Sequence, residues 1–254
     1  MAMKPEKGPL QDSLLSEASL LKVVSLARRA GEAIMAVYQE KEFGTIYKDD
    51  HSPLTRADLA AHHLIVHGLK SLTPELPALS EESAIIDYEV RRNWPCYWLI
   101  DPLDGTKEFL KRNDEFCVNI ALIQNSVPVL GVVYAPVFDV MYYAAEGLGG
   151  FKKEKNGQAQ RLSVFDYRNR RLTITISRSH ITASLETFLK KIGAHDVVLM
   201  GSALKLCLVA EGKVDLYPRF GRTMEWDTAA GQAIVIAAGG SVSNAQGTSL
   251  FYNK

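Results

Sequence analysis

The chain has 254 residues, is 47% hydrophobic, and balances 29 Lys and Arg against 29 Asp and Glu. That length holds one large domain or two modest ones, with enough apolar residue for a sizeable core. A formal net charge of zero argues against a nucleic-acid binder that works by neutralising phosphates, whereas a small anionic substrate needs only a local basic pocket.

Residues 1–11 are polar and lack the apolar run of a secretory signal. Over 16–39, Leu20, Val23, Val24, Leu26, Ala27, Ala30, Ala33, Ile34, Val37 and Tyr38 recur at helical spacing between charges, which predicts an amphipathic helix. A second helix is predicted over 56–72, after Ser52-Pro53-Leu54 and ending before Pro74. Short strands follow at 78–80 and 97–101. Apolar runs at 118–124, 129–135 and 140–145, broken by Asn125-Ser126 and Pro136, predict an antiparallel meander. Asn156-Gly157 marks 152–158 as a charged, solvated hairpin tip. Beyond Phe165 strands at 172–177, 197–200 and 214–217 alternate with helices at 183–192, 203–211 and 226–238. This order predicts an α+β half, 1–165, packed directly on a mixed α/β half, 166–254.

No stretch approaches about 18 consecutive apolar residues, so no transmembrane helix is expected and the chain reads as soluble. Cys96, Cys117 and Cys207 are odd in number, widely spaced and without a CxxC pair. They read as reduced thiols of a cytosolic protein, with Cys117 and Cys207 as small core residues. His63 and His67, four apart on a predicted helix, have metal-ligand spacing but no third ligand nearby, and read as surface histidines.

The most informative segment runs from Trp98 through Asp101-Pro102-Leu103-Asp104-Gly105-Thr106-Lys107-Glu108-Phe109. An apolar strand ends in two aspartates, at the end where α/β folds place their chemistry. Two anions so close repel unless a cation lies between them, and oxygen-only clusters suit magnesium. A proline turn capped by aspartates is the plainer alternative. Four other pieces join it: Glu81-Glu82 after a short apolar run, Asp227 in Trp226-Asp227-Thr228-Ala229-Ala230-Gly231, Thr55 to Asp58 opening the second helix, and Gly201-Ser202-Ala203-Leu204-Lys205 opening another. Thr55 with Asp58 also fits a capping box, and Asp227 also complements a helix dipole.

Taken together and in this order, these pieces resemble the magnesium-dependent, lithium-sensitive phosphatases that include the inositol monophosphatases, over roughly residues 20–250. Both signatures are present: an apolar strand into Asp-Pro-apolar-Asp-Gly-Thr, and a later Trp-Asp-x-Ala-Ala-Gly. More narrowly the chain is similar to 3'(2'),5'-bisphosphate nucleotidases of the CysQ type, through residues 102–109, 131–136, 176–180 and 216–221. The resemblance implies a layered α-β-α-β-α sandwich of two packed units. It implies two or three magnesium ions, the first held by Glu81, Asp101 and the Leu103 carbonyl. Asp101 would bridge to a second ion, also held by Asp104 and Asp227, with Glu82 behind the ligands. Thr106 would touch the attacking water and pass its proton to Asp58. The Gly105 and Thr106 amides, with Glu81, Asp104 and Asp227, would surround the scissile phosphate, while Lys107 stays a rim charge.

The same resemblance assigns Ser202, Lys205 and Arg219 to a second phosphate and the base, with His180 near the adenine. A solvated helix face for Lys205 and a surface strand end for Arg219 are the alternatives. Inositol monophosphatases tend to carry an acid near the Arg219 position, so a cation there fits a doubly phosphorylated substrate. The implied reaction releases the 3'-phosphate of adenosine 3',5'-bisphosphate, with 3'-phosphoadenylyl sulfate as a second substrate, in sulfate assimilation. An inositol or sugar-bisphosphate phosphatase, and a non-catalytic or RNA-associated regulator on the same fold, are the rival readings. A cytoplasmic monomer is expected; some relatives associate with the inner membrane, but nothing here encodes an anchor. The chain stops at Phe251-Tyr252-Asn253-Lys254, about where relatives continue into a last strand; a weaker second half, an exposed sheet edge and a natural variation are the alternatives there.

Overall fold

The computed structural model describes residues 14–49, 53–83, 85–164, 171–178 and 181–254. Ser16 starts the first helix, α1 (Glu17–Tyr38), by accepting the Ser19 amide at 3.3 Å. A two-stranded antiparallel ribbon, β1 (Ile46–Tyr47) and β2 (Pro53–Leu54), leads into α2 (Arg56–Leu72). That helix opens on a full capping box between Thr55 and Asp58. Its end is tied to the sheet: Thr73 Oγ1 bonds the Leu69 carbonyl at 3.1 Å and accepts the buried Trp98 indole N–H at 2.8 Å.

The central sheet has seven strands in the order of the chain: β3 (Ala78–Ser80), β4 (Cys96–Asp104), β5 (Cys117–Gln124), β6 (Val127–Ala135), β7 (Val140–Ala145), β8 (Gly149–Glu154) and β9 (Gln160–Arg161). All neighbours are antiparallel except β3 and β4, which are joined through a short α3 (Tyr88–Arg91). The meander expected at 118–145 is present, and the chain turns between β8 and β9 after Glu154. Lys152, expected to be solvated at that tip, is instead buried within β8, where its ammonium bonds the Glu211 carboxylate at 2.9 Å. Side chains alternate across the sheet: Trp98, Ile100 and Ile120 pack under α1 and α2, while Tyr97, Leu99 and Ala121 face the other way. Both faces are covered, so β4 to β6 are nearly all apolar; each fully buried large side chain contributes about 1.5–3 kcal/mol.

The second face is covered from the later part of the chain, by α6 (Leu204–Ala210) and α7 (Glu225–Ala237). Before α6, β10 (Leu172–Ser177), α5 (Ala183–Ile192) and β11 (His195–Met200) form a parallel strand–helix–strand unit. Ile174, Ile176 and Leu185 make its small core, and α6 packs between β10 and the large sheet. The layers are therefore helix, sheet, helix, sheet, helix. Among the described residues β11 pairs only with β10, leaving Val197 and Leu199 exposed. Tyr252 is buried, bonding Ser126 through its amide and Gln232 through its hydroxyl.

One expected element differs. Residues 214–217 form a single bridge, Leu216 to Ile174, instead of a strand. The Asp215 carboxylate bends back to the Thr173 amide at 2.7 Å, and Pro218, with no N–H, cannot extend the ladder. Conversely β4 continues past Asp101, through Pro102, because an extra residue bulges out between Asp101 and Asp104 where their partners, Asn119 and Cys117, are closer in sequence.

Candidate active site

The bulge at the end of β4 turns Asp101 and Asp104 toward the same space. The Asp101 Oδ1 accepts the Leu103 amide at 3.1 Å, fixing a carboxylate that is 1% exposed. Asp104 Oδ2 accepts the Ala203 amide at 2.5 Å and the Asn119 side-chain N–H at 3.3 Å. Asp227, in the first turn of α7, accepts the Met224 amide at 2.9 Å through Oδ2. One oxygen from each of the three lies within 4.8 Å of the others.

Crowding and burial show in their titration. Asp101 is held well above the ordinary carboxylate range, first by burial and then by the charges of Glu81, Asp104 and Asp227. Burial raises Asp104, against the pull of Lys205 and its two donors. Asp227 is pushed up to about 7 by burial and by Asp104. Crowding and burial thus disfavour the charged form of all three, a penalty that a cation among them would offset; three carboxylates with no nitrogen or sulfur suit a hard divalent ion.

Beside the trio, Gly105 adopts φ +94°, which a side chain would strain, and lets the chain turn from β4 into α4 (Thr106–Leu110). The Thr106 hydroxyl lies 3.4 Å from Asp58 Oδ1 and 3.3 Å from the Leu103 carbonyl. Asp58 Oδ2 accepts both the amide (2.7 Å) and the hydroxyl (2.5 Å) of Thr55. Capping acid and Thr106 partner are thus one residue using its two oxygens separately. Burial pushes Asp58 up to about 6, against the two Thr55 donors.

A cavity of about 210 Å³ is lined by Glu81, Asp101, Leu103, Asp104, Gly105, Thr106, Ser202, Lys205, Arg219 and Asp227, with Tyr217 beside them. Lys205 is 5% exposed, donates to the Ser202 carbonyl at 2.5 Å and stands 5.3 Å from the Tyr217 ring; burial lowers its pKa, against the charge of Asp104. Arg219 is half-buried, held by the Thr223 hydroxyl (3.0 Å) and the Arg222 carbonyl (2.9 Å). Lys107, His63 and His67 are exposed, and Cys117 and Cys207 are buried. His180 lies outside the described residues.

Sequence reasoning missed several neighbours. Lys48, on the strand ribbon's loop, bonds Glu82 at 2.6 Å and Glu81 at 3.1 Å. Burial opposes its charge, but the two glutamates outweigh it and raise its pKa. Glu115, Arg178 and Asn119 support the loops around Asp104. Arg178 stands inside the 176–180 stretch that carries the resemblance, but nothing local marks its pairing with Glu115, or the roles of Lys48, Glu115 and Asn119, since their partners are far along the chain.

A layered α/β fold carries an oxygen-only acid cluster that could hold a metal ion, opening on a cavity also lined by cationic side chains. The chain belongs to the inositol monophosphatase family, whose model matches residues 16–254. It is 54% identical to the 3'(2'),5'-bisphosphate nucleotidase CysQ of Salmonella typhimurium over 92% of this chain and 93% of the relative. Its fold superposes on CysQ from Bacteroides thetaiotaomicron with a TM-score of 0.82 at 42% identity, covering 94% and 93% of the two chains. SuhB from Bartonella henselae, an extragenic suppressor protein, follows at 0.75 and 28% identity, over 91% and 89%. Members of this family are generally metal-dependent, in keeping with the acid trio. Among the described residues no helix is long and apolar enough to cross a membrane.

Proposed function

We propose that this protein is a magnesium-dependent phosphatase of the cytoplasm, which removes the 3'-phosphate of adenosine 3',5'-bisphosphate to give AMP and phosphate. 3'-Phosphoadenylyl sulfate is a second substrate, and the reaction clears a by-product of sulfate assimilation. The observation that carries this reading is the meeting, in one cavity, of an acid trio with the buried Lys205 and the half-buried Arg219, besides the exposed Lys107 at its edge. A substrate with one phosphate needs only the first; a substrate with two uses both. Relatives 54% identical that bear the name of this nucleotidase support the same choice over inositol phosphate or a non-catalytic role.

Asp101, Asp104 and Asp227 would hold magnesium, with Glu81 and the Leu103 carbonyl completing the set for two or three ions. Bound there, magnesium supplies charge neutralisation to the phosphoryl oxygens and to the leaving oxygen. The Thr106 hydroxyl orients the attacking water, and Asp58, poised near 6, takes its proton at Oδ1. The Gly105 and Thr106 amides donate to the phosphate that leaves. Lys205, Ser202 and Arg219 bind the second phosphate, with His180 assigned to the adenine. In this division residues 1–165 carry most of the chemistry, and 166–254 contribute Asp227 and the substrate contacts. Catalysis is by positioning and electrostatics, with no covalent enzyme intermediate.

The test compares phosphate release from adenosine 3',5'-bisphosphate, inositol 1-phosphate and fructose 1,6-bisphosphate, with magnesium, with chelator and with lithium. The nucleotide is expected to be preferred, chelator to abolish turnover, and lithium to inhibit. A preference for inositol 1-phosphate refutes the substrate assignment.

A further inference from the structure

Asp104 owes its orientation to a backbone amide on another segment. Its Oδ2 accepts the Ala203 N–H at 2.5 Å, and that amide points inward because Ser202 sits at φ +50°, a region that residues other than glycine rarely adopt. Such a conformation persists only where its neighbours are fixed on both sides. On one side the fixing bond is Asp104 itself. On the other it is Glu115, whose Oε2 accepts the Gly201 amide at 2.8 Å.

Glu115 is 9% exposed and does not line the cavity. It is gripped in turn by Arg178, at the end of β10, through Nε to Oε2 (3.1 Å) and Nη2 to Oε1 (2.7 Å). Its own backbone oxygen lies 3.1 Å from where a Cβ on Gly105 would stand, so one residue braces both loops that flank Asp104. The connection runs Arg178, Glu115, Gly201, Ala203, Asp104. Lys205 is attached to it, since its ammonium bonds the Ser202 carbonyl.

We propose that Glu115 and Arg178 are positioning residues for Asp104 and for the Ser202–Lys205 side of the cavity, acting through the Gly201–Ala203 backbone. The inference rests on Asp104 being a metal ligand, as proposed above. A forked guanidinium on a buried carboxylate fixes both distance and plane, which a single-point ammonium does not. Releasing Glu115 frees the Gly201 amide and lets Ser202 relax. The Ala203 N–H then turns away and Asp104 loses the bond that aims it.

The test is Glu115→Gln, which keeps the volume but has one acceptor oxygen for donors that now use two. Magnesium chloride is titrated calorimetrically into the full chain without nucleotide, and KM and kcat are measured separately. Partners behind a metal ligand typically change affinity by about tenfold or more when altered. Magnesium affinity is expected to fall about tenfold, and KM for the nucleotide to rise with a fall in kcat. Arg178→Lys is expected to shift both in the same direction by less, and the double variant to be no worse than Glu115→Gln alone. Arg28→Ala, which breaks an ion pair with Asp139 away from the cavity, lowers the melting temperature only and serves as the control. If Glu115→Gln and Arg178→Lys melt lower but bind magnesium and nucleotide like the wild type, the pair is only a brace and the proposal fails. Should Glu115→Gln not fold, Arg178→Lys decides alone. Wild-type protein that binds magnesium but cleaves no nucleotide refutes the proposed reaction, while an affinity loss in Glu115→Gln still upholds the positioning role. Wild-type protein that binds no magnesium overturns both.

Discussion

Replacing Asp58 by Asn separates what this acid does for the reaction from what it costs the fold. In the metal-free protein its carboxyl titrates at about 6 instead of 3.8, chiefly because it is buried. Well below pH 3.8 both folded and unfolded chains hold the proton and no difference arises, and at pH 4 the difference is still small. As pH rises from 4 to 6 the unfolded chain loses the proton first, so the folded state binds more protons and its stability falls. Above pH 6 the full penalty is present: about two pH units, or roughly 3 kcal/mol as an upper figure. Asn carries no such penalty. Its Oδ1 can accept the two Thr55 bonds now made by Oδ2, and its Nδ2 can donate to Thr106. The measurement is a chelated thermal melt at pH 4 and pH 7.5, followed by tryptophan fluorescence. Near pH 4 the variant melts with the wild type; at pH 7.5 it melts higher, by up to about 6–12 °C for a chain of this size. With magnesium and nucleotide its kcat falls about 100- to 10,000-fold, the range for a lost general base. A stability gain that is the same at both pH values, or a loss at pH 7.5, refutes burial of charge as the cause. Near-normal kcat refutes the proton-accepting role.

Three further substitutions probe the rest of the site and its support. Asp101→Asn keeps the acceptor for the Leu103 amide and removes one charge from the trio; turnover is expected to fall about 100- to 1,000-fold and calorimetric magnesium binding to weaken, with the fold intact by circular dichroism. Arg219→Ala removes a charged donor worth about 1.5–3 kcal/mol, so KM for adenosine 3',5'-bisphosphate rises about 10- to 100-fold while any turnover of inositol 1-phosphate is unchanged; equal losses on both esters exclude a second-phosphate contact. Thr73→Val leaves the buried Trp98 indole N–H without its acceptor and costs about 1–3 kcal/mol in a denaturant melt, with KM unaltered.

How far the sequence alone reached depended on the distance over which each feature is decided. Both long helices, the meander and the strand–helix–strand unit follow from local period, and they stand within a residue or two of expectation. The extension of β4 past Pro102 was hidden because a proline reads locally as a stop, whereas the bulge takes it out of the ladder. Residues 214–217 erred the other way: an apolar run suggested a strand that Asp215 and Pro218 reduce to one bridge. At the site, Asp101, Asp104 and Asp227 were legible because their motifs are compact. Lys48 on Glu81 and Glu82, or Arg178 on Glu115, were not, because ion pairs between remote segments leave no trace in spacing.

The way the acids are held explains how such a cluster stays both ordered and reactive. Asp58 is fixed by the Thr55 amide, Asp101 by Leu103, Asp104 by Ala203 and Asp227 by Met224. In each case the donor is a neutral backbone N–H, and none of these bonds comes from a lysine or arginine. An ion pair would have positioned the carboxylate equally well but would have cancelled the field that attracts a divalent cation. An amide orients the group and leaves most of its charge in place. The cost is the upward shift in titration that Asp58, Asp101, Asp104 and Asp227 share. The nearest lysines make their bonds elsewhere, Lys48 to the two glutamates and the buried Lys205 to a carbonyl, although the Lys205 charge still pulls on Asp104. The acid set is therefore electrostatically strained in the fold itself; if a divalent ion binds there as proposed, it would relieve that strain and should stabilise the protein most at the pH values where these acids would otherwise have to ionise unpaired.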